Sequence, residues 1–449
     1  MSTPANSGPT RPGFYGWRLV GALWCLDLLN MGLPVYCATV INTAMLQKIP
    51  MPRSTFGLGY TLVNFFVGVP SALIAWVILR RGIRTTLMLG AALIGAGALW
   101  LAAVATQPWH YLVGFGVLIG SGVGFGTVMP ISTAITRWFV RYRGRALAIA
   151  LTAWGIGGFL GTPLINHLIE SRGGNFRVAW IVIAATSVLS AAIAHRFVVE
   201  RPEDLGQLPD GVAAEPPPVW KAAGETRVPQ TEAWTAEYAL NTGSFWLILV
   251  GAVACQFPSF FFTAHGLLHL RSSGLSMMDA AWAMAVYTLG GLFGRLLGGS
   301  LVDAIPERYA FMIGLSFYVV GTWLALQINA TPPVPLSALP PSQIAYGAAL
   351  CYGAGMGSAF ICLNTITGNY FGPAVFPQLN GTIMMLSGLL CAPAGLVGGM
   401  FFDAYHNYTQ AFLLNMALSL AGITALFFAG RPEIAPAKAR AERARLADD

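Results

Sequence analysis

The chain has 449 residues, 55% of them hydrophobic and only 10% charged, with a mean hydropathy of +0.63. Soluble domains carry about 25% charged residues, so this composition excludes a fold solvated by water alone and calls for a lipid solvent. The formal charge is +7, and where the basic residues fall matters more than their sum.

Taken in chain order, residues 1–16 form a polar tail. The apolar run that starts at Trp17 is too long for a secretory signal core and lacks a small-residue cleavage site. Uncharged apolar runs of about 20 residues then recur, the length that crosses the hydrocarbon core as helix. They show none of the in–out alternation of barrel strands, and the backbone in lipid must satisfy itself, so they are helices. The pattern predicts spans near 17–42, 55–79, 86–106, 110–135, 146–169 and 177–197, then 244–270, 279–304, 309–329, 343–368, 378–402 and 409–430. The expected fold is all-α and integral to the membrane, with twelve transmembrane helices in two pseudo-symmetric halves, 17–197 and 244–430. A polar central loop, 198–243, separates them, and a charged tail, 431–449, follows.

Nineteen of the 25 basic residues fall on the side of the termini and central loop, and five on the other side. Cytoplasmic loops carry the excess of Lys and Arg, so both termini and the central loop are expected in the cytoplasm of a plasma (bacterial inner) membrane. The cluster Arg141, Arg143 and Arg145 sets topology and meets anionic lipid. A repeat supports two related halves: Gly144, Gly158 and Gly161 near span five match Gly381, Gly395 and Gly398 near span eleven, at identical spacing. The six cysteines lie in apolar runs without CxxC spacing and read as small buried hydrophobes.

The remaining basic residue is Arg295, about nine residues inside the end of span eight, or roughly 13 Å deep. An arginine at a helix centre costs about 2.5–3.5 kcal/mol on insertion scales, so one that persists has a pairing or substrate role. Its planar fork matches a carboxylate bidentately. Asp27, in span one, lies at similar depth and has three readings: partner of Arg295, proton carrier, or a group facing polar backbone near Pro34. Asn30, Tyr36, Gln256, Asn364 and Thr365 are polar groups at plausible depth for substrate, and Trp154 could wall a cavity. His265 and His269 at i and i+4 have no third ligand in view, and the small-residue spacings of span four read as packing seams. No P-loop, HExxH or GxSxG pattern appears, so neither direct ATP drive nor an intramembrane enzyme is expected, and no cofactor is assigned. A single arginine offers no ring of charge for a channel.

The two six-span halves and the repeat resemble the major facilitator superfamily. The loop Leu79-Arg80-Arg81-Gly82-Ile83-Arg84 is similar to its signature loop without the usual acid, and Gly299 to Asp303 with Arg308 is the better-preserved second copy. The resemblance makes Asp303 and Arg308 structural or gating residues. Three stretches look like the monocarboxylate transporter and oxalate/formate antiporter group. They are Tyr15-Gly16-Trp17, the run from Arg137-Trp138-Phe139 through Gly144-Arg145 to Gly158, Gly161 and Pro163, and Gly290-Gly291 through Gly294-Arg295 with Gly298. In that group the span-eight arginine binds the substrate carboxylate, a role the resemblance gives Arg295. The group's acid four positions earlier is here Gly291, and its lysine after the span-one proline is here Val35. Span eleven has Ser387 or a neighbour where a second cation can stand in the antiporters, which favours a monoanion. The expectation is a secondary active transporter of a small monocarboxylate such as lactate or pyruvate, with a coupled proton or counter-anion. It needs membrane lipid but no nucleic acid, and works as a monomer. The alternatives are an exporter of amphipathic, drug-like compounds or a dicarboxylate/formate-type antiporter.

Overall fold

The computed structural model describes residues 14–68, 70–139, 142–211, 235–328, 339–372 and 375–432. Residues 212–234 of the central loop, Arg141 and the tail beyond 432 lie outside the described residues. Among the described residues all regular structure is helical, and ten helices are long and apolar enough to cross a membrane. Spans two and five complete the twelve. Each is assembled from shorter pieces: Arg53–Gly68 continued from Ser71 for span two, and Arg143–Ala150 with Ala153–Ser171 for span five. Uninterrupted spans match the prediction closely, as with Phe176–Phe197 for span six and Glu307–Gln327 for span nine.

The irregularities have local causes. Span one, Gly16–Lys48, widens to π-helical winding over Leu28–Tyr36, a segment that contains Pro34. A proline inside a helix removes an N–H donor and crowds the preceding turn, and a wider turn relieves both. Gly32 in this segment meets Gly157 of span five, where a Cβ on Gly32 would lie 3.1 Å from the Gly157 Cα. The two backbones therefore touch, and the residues either side of the contact are brought together. Between spans two and three the chain turns at Gly82, whose φ of +87° favours glycine.

The glycine repeat proves to be a packing repeat. Gly158 and Gly161 of span five press on Thr288 of span eight and on Tyr36 and Cys37 of span one. Gly395 and Gly398 of span eleven press on Gly57 of span two and on Phe261 of span seven. Exchanging the halves maps one set of neighbours onto the other. Spans two with eleven, and five with eight, make the closest contacts between the halves.

Polar ties fasten the face opposite the termini. The Asp403 carboxylate, at the end of span eleven, accepts from the backbone N–H groups of Arg53 and Ser54, each at 2.9 Å, and so caps the first turn of span two. Arg53 stacks on Phe402 at 5.2 Å, and the Leu396 N–H donates to the Thr61 hydroxyl at 3.2 Å. On the terminal face a different tie lies within the first half. Glu200 accepts from the Ile83 and Arg84 N–H groups at 2.9 and 2.8 Å and pairs with Arg137 at 3.2 Å. The loop between spans two and three thus lacks its own acid but receives one from the chain that leaves span six. In the second half, Asp303 and Arg308 form no ion pair among the described residues. Arg308 instead donates to the Tyr309 hydroxyl at 2.9 Å and lies over its ring.

Candidate functional site

Span eight, Met277–Ala304, presents Gly290, Gly294 and Gly298 to the backbone of span ten, at Gly353, Ala354 and Ser358. With that face committed, Arg295 reaches the other way, across to the first half. Its guanidinium carbon lies 4.2 Å from the centroid of the Trp154 ring in span five. Trp154 meets Tyr36 edge-on, with centroids 6.1 Å apart and planes at 72°. The contacts of Gly155 and Gly158 with Thr288, and of Gly32 with Gly157, draw spans eight, five and one together here. Arg295 makes no hydrogen bond or ion pair with any described residue. A desolvated guanidinium on an indole face gains about 2 kcal/mol, and its five N–H donors stay available.

Asp27 is 1% exposed, and both carboxylate oxygens lack a hydrogen-bond partner. It lies within electrostatic reach of Arg295 without closing an ion pair. Of the three readings of Asp27, the one that turns it to polar backbone near Pro34 finds no support, since no backbone donor among the described residues meets it. A buried carboxylate left unpaired is strongly disfavoured, so this one is completed by a proton, by approach of Arg295, or by a ligand. Tyr36 and Tyr287 share the same electrostatic neighbourhood as the arginine. The Tyr287 hydroxyl contacts the Thr263 hydroxyl at 3.2 Å and the Met356 sulfur at 3.2 Å. Tyr287 was not among the sequence candidates. Its signal was present, since residues 287, 291 and 295 form one helical stripe.

Several candidates are engaged elsewhere. Asn30 donates to the Gly126 carbonyl at 2.9 Å and accepts from the Ser190 hydroxyl at 2.7 Å, so its amide ties spans one, four and six. Gln256 donates to Ser387 at 2.6 Å, and two residues expected to face substrate instead bond each other across spans seven and eleven. Asn364 and Thr365 donate to carbonyls of their own helix, at Phe360 and Ile361. His265 bonds the Gly395 carbonyl and Tyr408 hydroxyl, and His269 the Ala325 carbonyl, which makes both packing residues. Among the described residues no group of three or more His, Cys, Asp or Glu could hold a metal ion. The groups that converge are Arg295, Trp154, Tyr36, Asp27 and Tyr287.

Comparison with known proteins gives the family. The family model for the Major Facilitator Superfamily matches residues 23–395 and 269–447. The chain is 28% identical to monocarboxylate transporter 13 of Bos taurus over 91% of its own length and 88% of the relative's. It is 26% identical to monocarboxylate transporter 11 of Homo sapiens, over 97% and 86% of the two chains. Among solved structures it resembles a D-xylose–proton symporter, with a TM-score of 0.68, 17% identity and coverage of 93% and 98%. The fold, its relatives and its membrane-spanning helices agree that the protein is an integral membrane transporter and not an enzyme. The chain belongs to the Major Facilitator Superfamily.

Proposed function

We propose that the protein is a secondary carrier of small monocarboxylates, working by alternating access, with Arg295 as the carboxylate anchor. The observation that carries this reading is the guanidinium itself: it stands 4.2 Å over Trp154, yet no acceptor among the described residues takes its N–H groups. A carboxylate supplies two acceptors in the matching plane. Among the described residues Arg295 is the one cation acting on both Asp27 and Tyr36, and one cation suits a monoanion better than a dianion. Relatives named as monocarboxylate transporters support the same class.

Charge then organises the cycle. The empty site holds one anionic and one cationic group, Asp27 and Arg295. A bound monoanion adds a negative charge, and a proton on Asp27 restores neutrality, which eases passage through a low-dielectric barrier. In this reading the two halves rock around the site as a monomeric unit in a plasma membrane, with both termini cytoplasmic. The face closed by Asp403 is then the outer one.

The test is counterflow in proteoliposomes with labelled lactate, pyruvate and oxalate, using wild type and Arg295→Lys. Saturable monoanion exchange that the lysine variant loses is expected. Preferred oxalate exchange would mean a dicarboxylate site. Folded protein that exchanges no carboxylate, or an Arg295→Lys variant with wild-type rates, would sink the proposal in favour of an amphipathic-compound exporter.

A further inference from the structure

We infer that Trp154 reads the substrate's 2-position: its indole N–H donates to the 2-oxo or 2-hydroxyl oxygen of the acid that Arg295 holds. The inference rests on Arg295 as the carboxylate anchor and adds a residue that decides which monocarboxylates are preferred.

The indole nitrogen of Trp154 is enclosed and has no hydrogen-bond partner among the described residues. An indole N–H is a donor only, and buried donors in folded proteins nearly always find an acceptor. This chain follows that rule elsewhere. Trp24 donates to Thr152 at 3.0 Å, Trp100 to the His110 carbonyl at 3.2 Å and Trp138 to the Val199 carbonyl at 3.1 Å. Among the described residues Trp180 is the other buried indole without a partner, and it sits in the apolar core of the first half beside Phe115. Trp154 differs because the group on its face is an uncommitted cation. That cation cannot satisfy the indole, since a guanidinium only donates. The neighbours that could accept, the Asp27 carboxylate and the Tyr36 hydroxyl, do not. The missing partner is therefore an acceptor carried next to whatever Arg295 binds. In a 2-oxo or 2-hydroxy acid the 2-oxygen sits on the carbon bonded to the carboxylate, so one small molecule serves both donors. An unsubstituted acid serves only the guanidinium and leaves the N–H unpaired.

The experiment is counterflow in proteoliposomes with four probes: lactate, pyruvate, propionate and 2-methylpropionate. The last matches lactate in size but carries a methyl group in place of the hydroxyl. Wild type is expected to favour lactate and pyruvate over the other two by about tenfold or more in kcat/KM, because a site built to bond an oxygen rejects the analogue that lacks it. Trp154→Phe keeps a ring under Arg295 and removes the N–H. It is expected to bring the four probes within about threefold through loss on the oxygenated pair, with fold checked by unchanged size-exclusion elution and thermal unfolding in detergent. Equal exchange of lactate and 2-methylpropionate by wild type overturns the inference without any variant. A Trp154→Phe protein with unchanged preference also overturns it, as does a preference lost in Tyr36→Phe alone. Wild type that exchanges no monocarboxylate overturns the Arg295 reading and this inference with it, whereas propionate exchange with an unaltered ratio removes only the indole's role.

Discussion

Replacing Asp403 by Asn tests whether the face opposite the termini is held shut by a specific bond. The carboxylate crosses from span eleven to cap two N–H groups of span two, at 2.9 Å each. Asparagine keeps one acceptor oxygen but loses the charge and the second short bond. Loss of an N-cap costs about 0.5–2 kcal/mol, and a charge at a helix N-terminus contributes about 0.3–1 kcal/mol when exposed, as Asp403 is. Taking about 1–2 kcal/mol for the sum shifts the closed-to-open ratio at that face by about 5- to 30-fold. The assay is fluorescence resonance energy transfer between dyes at Lys48→Cys and Ser272→Cys, exposed positions at the far ends of spans one and seven. The longer-distance population should grow in Asp403→Asn. Identical distance distributions in the two proteins would refute the latch.

A Cβ at Gly57 would run into the Gly395 carbonyl, so Gly57→Ala should keep the same face from closing and give a larger shift by the same dye pair, with size-exclusion behaviour unchanged. In the proposed cycle Asp27 takes the coupled proton; Asp27→Asn should then leave lactate exchange in place while an imposed proton gradient no longer drives accumulation, and retained accumulation would contradict that role. Glu200→Gln weakens a part-buried tie of one ion pair and two N–H bonds, and should lower stability by about 1–2 kcal/mol, read as an earlier thermal unfolding midpoint in detergent. Unchanged melting would show that the loop is held by other contacts.

Spans and their order were legible because hydropathy is written along one helix at a time. Arg295 was legible for a related reason: a charge at membrane depth stands out against its own neighbours. What escaped was pairing between helices. Asn30, Gln256 and Ser387 all look like free polar groups in sequence, and only packing shows that Asn30 meets Gly126 and Ser190 while the other two meet each other. The loop after span two appeared to have lost its acid. In fact Glu200, more than a hundred residues later, supplies it. The glycine repeat was visible as spacing, but its neighbours, Thr288 and Tyr36 on one side and Gly57 and Phe261 on the other, came only with the fold.

The stacked pair at the centre has a thermodynamic consequence. Trp154 belongs to one half and Arg295 to the other, so the contact between them measures where the halves stand. Affinity and conformation are then linked quantities: a ligand that prefers one separation pulls the equilibrium toward it, and anything that biases the equilibrium changes apparent affinity by the same factor. Substitutions at Asp403 or Gly57, at the far face, should therefore alter the apparent affinity for the proposed monocarboxylate without touching its site.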